Sequence, residues 1–258
     1  MTFAELNSKM GGHEIKTDWH KHKNGGGWIY KDAQVDDSAY VGVNAIVGDK
    51  AQVRDNAQVR DFAIVRDNAS VYANAIVCNN ALVRDFAQVC DKAQVRDDAQ
   101  IRDFAQIGNN ALIYDNAQVY DYSLVYDNAQ AYGNARIYSS VRVYGFAQVC
   151  NEAIIYGDAI VRDSAIVCGD AQVCNKAIIC GDAIIQSDTW NKSPLFVIGS
   201  RYSLTNAKRG YIQIGCRCKT YAWWKSAAAV AFAKKNNFTK QEIEEYRKYV
   251  DLFAKIGK

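Results

Sequence analysis

Few side chains in this sequence have both the type and the spacing for chemistry. All three histidines lie near the start: His13, then the pair His20-Lys21-His22. A His-x-His pair on a strand or loop can chelate, with Glu14 or Asp18 as a further ligand. The alternative is a solvent-facing basic cluster. A second group lies near the end. Ser200 and Arg201, with Cys216 and Lys219, could hold an anion or another small ligand, or Arg201 could pack a hairpin in place. Cys216-x-Cys218 supplies only half of a usual zinc set. Gly25-Gly26-Gly27 is not followed by Lys-Ser/Thr and reads as a turn, not a phosphate loop. No histidine occurs after His22, which leaves general acid–base chemistry without its usual group near neutrality. No catalytic residue and no cofactor is assigned.

The element that must position everything else is a repeat. Stepping by six from Ala33 to Ala183 meets alanine at every position except Ser123 and Val141. Two residues after each comes Val or Ile, with Ala131 the single exception. The unit is typified by Ala51-Gln52-Val53-Arg54-Asp55-Asn56. Residues two apart on an extended segment face the same side, so Ala and Val point inward together. The unit usually closes on Asp, Asn or Gly, which tolerate the backbone of a corner. Six residues thus make a short strand and a bend, and three units close a coil of 18. A period of six does not hold one face of an α-helix.

Outward positions stack every 18 residues. One file runs Arg66, Arg84, Arg102, Tyr120, Tyr138, Tyr156, and a second contains Arg60, Cys78, Arg96, Tyr114, Tyr132, Cys150 and Cys168. Phe86, Phe104 and Tyr122 stack near a corner. Tyr and Arg are frequent at binding hot spots. The first file is therefore a candidate partner-binding face; alternatively the ladders serve the sheet, with Arg paired to the neighbouring Asp row.

The repeat resembles the hexapeptide-repeat superfamily. The resemblance implies a mainly β chain, a left-handed parallel β-helix shaped as a triangular prism of about 8–9 coils and roughly 40 Å long. Many members are coenzyme A-dependent acyltransferases that use a histidine base, and others hold zinc between coils. The matching histidines are absent here, as is any inserted loop. Trimers are common among such relatives, and a dimer through the Tyr face is the other expectation.

Three regions are expected: an N-terminal cap over 1–30, the β-helix over 31–188, and a small α+β C-terminal cap over 189–258. Strands are predicted at Leu195–Ile198 and Tyr211–Ile214, joined by a polar connection, and a helix over 222–236. Thr239-Lys240-Gln241-Glu242 is a capping box opening a second helix to about Ile256, with the apolar stripe Ile243, Tyr246, Val250, Phe253. Ile198-Gly199-Ser200-Arg201, Thr205, Gly215-Cys216, Lys219-Thr220 and Glu245-Tyr246 resemble a module of uncharacterised bacteriophage and prophage proteins.

Charge divides the same way. Residues 31–188 carry 13 Lys and Arg against 21 Asp and Glu; residues 189–258 carry 14 against 4. The basic end suits an acidic or nucleic-acid partner, or is simply a solvated helical surface. No stretch approaches a membrane span, and Met1–Lys16 lacks the apolar run of a secretory signal. The expectation is a cytoplasmic protein with reduced cysteines, the host cytoplasm if phage-encoded. The function expected is a non-enzymatic binding or scaffold protein of phage or prophage origin. It would meet a protein partner or a second copy of itself through the Tyr/Arg face or the basic cap. An acyltransferase and a nucleic-acid or nucleotide binder are the alternatives.

Overall fold

In the computed structural model, which describes residues 1–256, each hexapeptide folds as the repeat requires. Its x-Val pair forms a two-residue strand, from Gln34–Val35 through Ile184–Ile185 without an interruption. Each strand pairs in parallel with those one coil away, as in Gln88↔Gln106 and Val89↔Ile107. Three sheets result, one of eleven strands and two of nine, parallel except at the first edge strand of the larger one. The solenoid therefore has about nine turns. From Ala39 to Ile185 the inward Ala and Val/Ile positions are solvent-free. The exceptional Ser123 is accommodated because its hydroxyl donates to the Tyr120 carbonyl at 2.6 Å, which satisfies a polar group that would otherwise be costly to bury.

The corners explain the Asp series. Asp55 and Asp115 both have φ of 56°, and most units carry Asp or Asn at the same place with φ between 52° and 62°. Short polar side chains tolerate this left-handed conformation better than most. The same carboxylate then reaches the next coil. Asp55 accepts the Ala73 N–H at 2.9 Å, and Asp115 accepts the Gly133 N–H at 3.0 Å. A residue that makes the bend thus also clasps the coil 18 residues on.

The parallel ladder extends past the obvious repeat at both ends. Gly27 and Ile29 occupy the Ala and Val positions of an earlier unit, and Trp28–Tyr30 pairs with the strand Ile46–Val47. Strand Trp19–Lys21 closes that edge in antiparallel pairing. Helix α1 (Phe3–Lys9) buries Leu6 against Trp19, Trp28 and Ile46. At the far end Thr189–Trp190 pairs with Gln172–Val173, an offset of 17 where the other coils have 18. The slip of one residue is where the six-residue phase ends.

The C-terminal region departs from the expected two-strand hairpin. It is a four-stranded antiparallel sheet of Phe196–Ile198, Ser203–Lys208, Tyr211–Ile214 and Arg217–Thr220. Ser203–Lys208, expected as a connection, is a central strand with Thr205 and Asn206 buried. Its polar composition hides it, because burial here is enforced by neighbours on both sides. The helix expected over 222–236 is two, α2 (Tyr221–Lys225) and α3 (Ala227–Lys235). Ser226 between them is extended, with its hydroxyl on the Trp223 carbonyl. Helix α4 (Lys240–Ile256) forms as predicted, and the Thr239/Glu242 capping box is reciprocal at 2.7 and 3.2 Å. Tyr246, Val250 and Phe253 of its stripe are buried with Leu204, Ile212 and Ile214. This sheet sits on the last coil through Phe196, which packs on the solenoid core, and through the Gln186 N–H to Ala207 carbonyl bond at 3.1 Å.

Candidate functional site

The candidate partner-binding residues follow successive strands of the eleven-stranded sheet, so the backbone register places them one above another. Tyr120 and Tyr138 stack at 4.9 Å, and Tyr138 and Tyr156 at 5.4 Å, in planes within 6° of parallel. The Arg102 guanidinium lies 3.8 Å from the Tyr120 ring centroid, continuing the stack into the arginine half. Arg84 pairs with Asp85 at 2.9 Å and Arg102 with Asp103 at 3.0 Å, while Arg66 and Asp67 are 3.9 Å apart. All six side chains are half-buried. Partial burial, and next to it the neighbouring Tyr138, push the Tyr120 phenol above its ordinary pKa. Tyr156 is also raised, chiefly by its hydrogen bond to Cys174. The file is thus assembled as the 18-residue rule requires, but its arginines are largely committed to the adjacent Asp file.

A more open file runs beside it. Phe86, Phe104 and Tyr122 lie two residues beyond Arg84, Arg102 and Tyr120, on the same corner. Their rings stack at 5.0 and 5.1 Å, tilted by no more than 5°. They are 50%, 45% and 64% exposed. Arg–Tyr, Asp and aromatic files therefore lie side by side along one edge.

The second file has the same construction. Arg96 lies over Tyr114 at 4.8 Å, and Tyr114 stacks on Tyr132 at 4.9 Å. Below them come Cys150 and Cys168, both free thiols. Hydrogen bonding from Cys168, then from Tyr132, outweighs burial and lowers the Cys150 thiol to about 6, while Cys168 is pushed up.

The C-terminal candidates do not converge. The Ser200 N–H donates to Glu245 at 2.8 Å, and the Arg201 N–H to the Tyr246 hydroxyl at 3.0 Å. The Arg201 guanidinium donates to the Asn237 carbonyl at 3.1 Å and covers the Phe238 ring at 4.6 Å. These contacts fasten the strand connection to α4. Cys216 is exposed on the turn before Arg217–Thr220, and the Lys219 ammonium lies 5.8 Å from the Trp223 ring centroid.

His20 is exposed on the strand Trp19–Lys21, whereas His22 is 8% exposed with Nδ1 3.1 Å from the Asn24 carbonyl. Glu14 accepts the Trp19 indole N–H at 3.0 Å, and Asp18 accepts Lys31 at 3.1 Å. Both carboxylates considered as ligands are thus engaged. Among the described residues no three His, Cys, Asp or Glu side chains gather into a metal-sized group.

Among known proteins, residues 105–121 match the family model described as the YdcK β-solenoid repeat. No curated protein matches the chain. The matched stretch contains Ala105, Ile107, Ala111, Ile113, Ala117 and Val119, all inward and solvent-free. Together with about nine turns of parallel strands, the match makes this chain a β-solenoid repeat protein.

Proposed function

We propose that the solenoid is a non-enzymatic scaffold that binds a protein partner, or a second copy of itself, along the corner carrying Phe86, Phe104 and Tyr122. The observation behind this reading is the exposure of three parallel, stacked rings in an unbroken file. Contiguous apolar patches of this kind mark contact sites more often than scattered exposed side chains do. The adjoining Arg84, Arg102 and Tyr120 add polar contacts with fixed geometry. Regular strand spacing supports a scaffold over an enzyme, because it builds a flat edge and no lid. The basic C-terminal module is a second contact for an acidic partner, and a phage or prophage origin rests on that module's resemblance alone.

Sedimentation of the full chain over a concentration series, with and without host lysate proteins recovered by cross-linking, tests the reading. The triple variant Phe86→Ser, Phe104→Ser, Tyr122→Ser should remain folded and lose the association. Unchanged association in the folded triple variant would refute it. So would acetyl-coenzyme A turnover abolished by a single substitution. Association through the basic module instead would show a steep decline with salt.

A further inference from the structure

The solenoid is filled by its own side chains, but the C-terminal module is not. Between its sheet and its helices lies a cavity of about 200 Å³. Ile214, Ala229, Tyr246 and Val250 line it from buried positions. Trp224, Phe232 and Phe238 supply aromatic walls. The space has a sequence cause. Helix α3 is Ala-Ala-Ala-Val-Ala-Phe-Ala, and Ala229 and Ala233 face the cavity where larger residues would close it.

The cavity is cationic at its rim. Arg217 and Arg247 line it and are exposed, and among the described residues neither makes an ion pair. The module's ion pairs are Lys225 with Asp251 and Arg201 with Glu242. Arg217 is held over the wall itself, 5.2 Å from the Phe232 ring centroid. An apolar interior beneath unpaired guanidinium groups suits an anion with an apolar body. Size narrows the class further. Apolar cavities of ~150 Å³ accept benzene, so this one takes a single ring with a short substituent. A long acyl chain or a nucleotide exceeds it.

We propose that the C-terminal module binds a small monocyclic aromatic carboxylate. The ring fills the space among Trp224, Phe232 and Phe238, and the carboxylate meets Arg217 and Arg247. Filling restores contacts that the void's walls lack, and guanidinium pairs with carboxylate through two parallel hydrogen bonds. This site is independent of the solenoid edge and would stand if that edge bound nothing.

The test is calorimetric titration of the full chain with 3-phenylpropionate, with its neutral amide 3-phenylpropanamide as control. One saturable site is expected, with the acid bound ~10-fold or more tightly than the amide. Arg217→Gln should remove most of that difference, weakening the acid far more than the amide. Ala233→Phe, which fills the cavity, should abolish both. The proposal is overturned by absence of saturable binding at millimolar acid, by equal affinity for acid and amide, or by an Arg217→Gln variant that discriminates as strongly as the unmodified chain. Binding that survives Ala233→Phe with unchanged circular dichroism also overturns it. If that variant misfolds, the Arg217→Gln comparison decides alone.

Discussion

The solenoid and its C-terminal cap solve the burial problem in opposite ways. In the solenoid every coil repeats the contacts of the last, and each inward Val or Ile meets a Val or Ile of the next coil, Ala131 excepted. Stability is then a sum of nearly equal neighbour terms, and the surface is a set of straight files. The cap has no repeat. Its four strands and three helices bury polar Thr205, Asn206 and Gln213 and leave a cavity. Regular stacking gives flat edges suited to broad contact. Irregular packing gives the concavity that a small ligand needs.

Breaking the solenoid should have the largest effect. Ile107→Ala empties a solvent-free position in mid-stack and is expected to cost about 2–5 kcal/mol, read by urea unfolding followed by circular dichroism. Val250→Ala in the cap should destabilise the cap first, so protease should cut residues 189–258 while the solenoid survives. If both variants lower a single shared transition, the two regions are one cooperative unit and the contrast fails.

The corner clasp comes next. Asp115→Ala loses both the bond to the Gly133 N–H and a residue suited to φ of 56°, with an expected cost of about 1–3 kcal/mol. Asp115→Gly keeps the conformation and loses only the bond, so it should cost less. Equal losses would show that the bend is not strained. In the cap, Tyr246→Phe removes the hydroxyl that accepts the Arg201 N–H and donates to the Tyr202 carbonyl. About 1 kcal/mol is expected, confined to the cap.

The smallest expected effect is one of pH. Glu245 is held below its ordinary 4.5 by hydrogen bonds from Ser200, and Glu242 by its capping bonds to Thr239. Because their folded values are depressed, their contribution is fully present above pH 4.5 and is lost as pH falls through the folded values. Acid should loosen the α4 attachment, seen in tryptophan fluorescence, and Glu245→Gln should flatten that response. A pH profile identical to that of the unmodified chain would remove Glu245 from the account.

How much of this was readable beforehand follows the same division. Ala33 to Ala183 predicted strands, corners and files residue by residue, because a contact 18 residues away is encoded locally as a period. The early rung at Gly27 and Ile29 was not read, because Gly27 stands in a glycine run that looks like a turn. Ser203–Lys208 was not readable, since nothing in Ser-Leu-Thr-Asn-Ala-Lys marks a strand buried between two others. The break at Ser226 was likewise hidden inside an alanine-rich run. The ring file was visible as a spacing, and pairing of Arg with the neighbouring Asp row was one of two readings of the Arg file; the exposure of the rings had no such signal, and the close Arg84–Asp85 and Arg102–Asp103 pairs favour the second reading for those arginines.

The carboxylate clasps also make the solenoid a ruler. Each reaches forward by 18 residues, as from Asp55 to Ala73 and from Asp115 to Gly133. Adding or removing 18 residues therefore shifts whole clasps and changes the length by about 4.8 Å. Six or twelve residues keep corner on corner but turn every later file onto another face, and a number that is not a multiple of six places a corner residue against a strand. Length in this molecule comes in quanta, and the distance between its two ends can be set in those steps without redesigning either end.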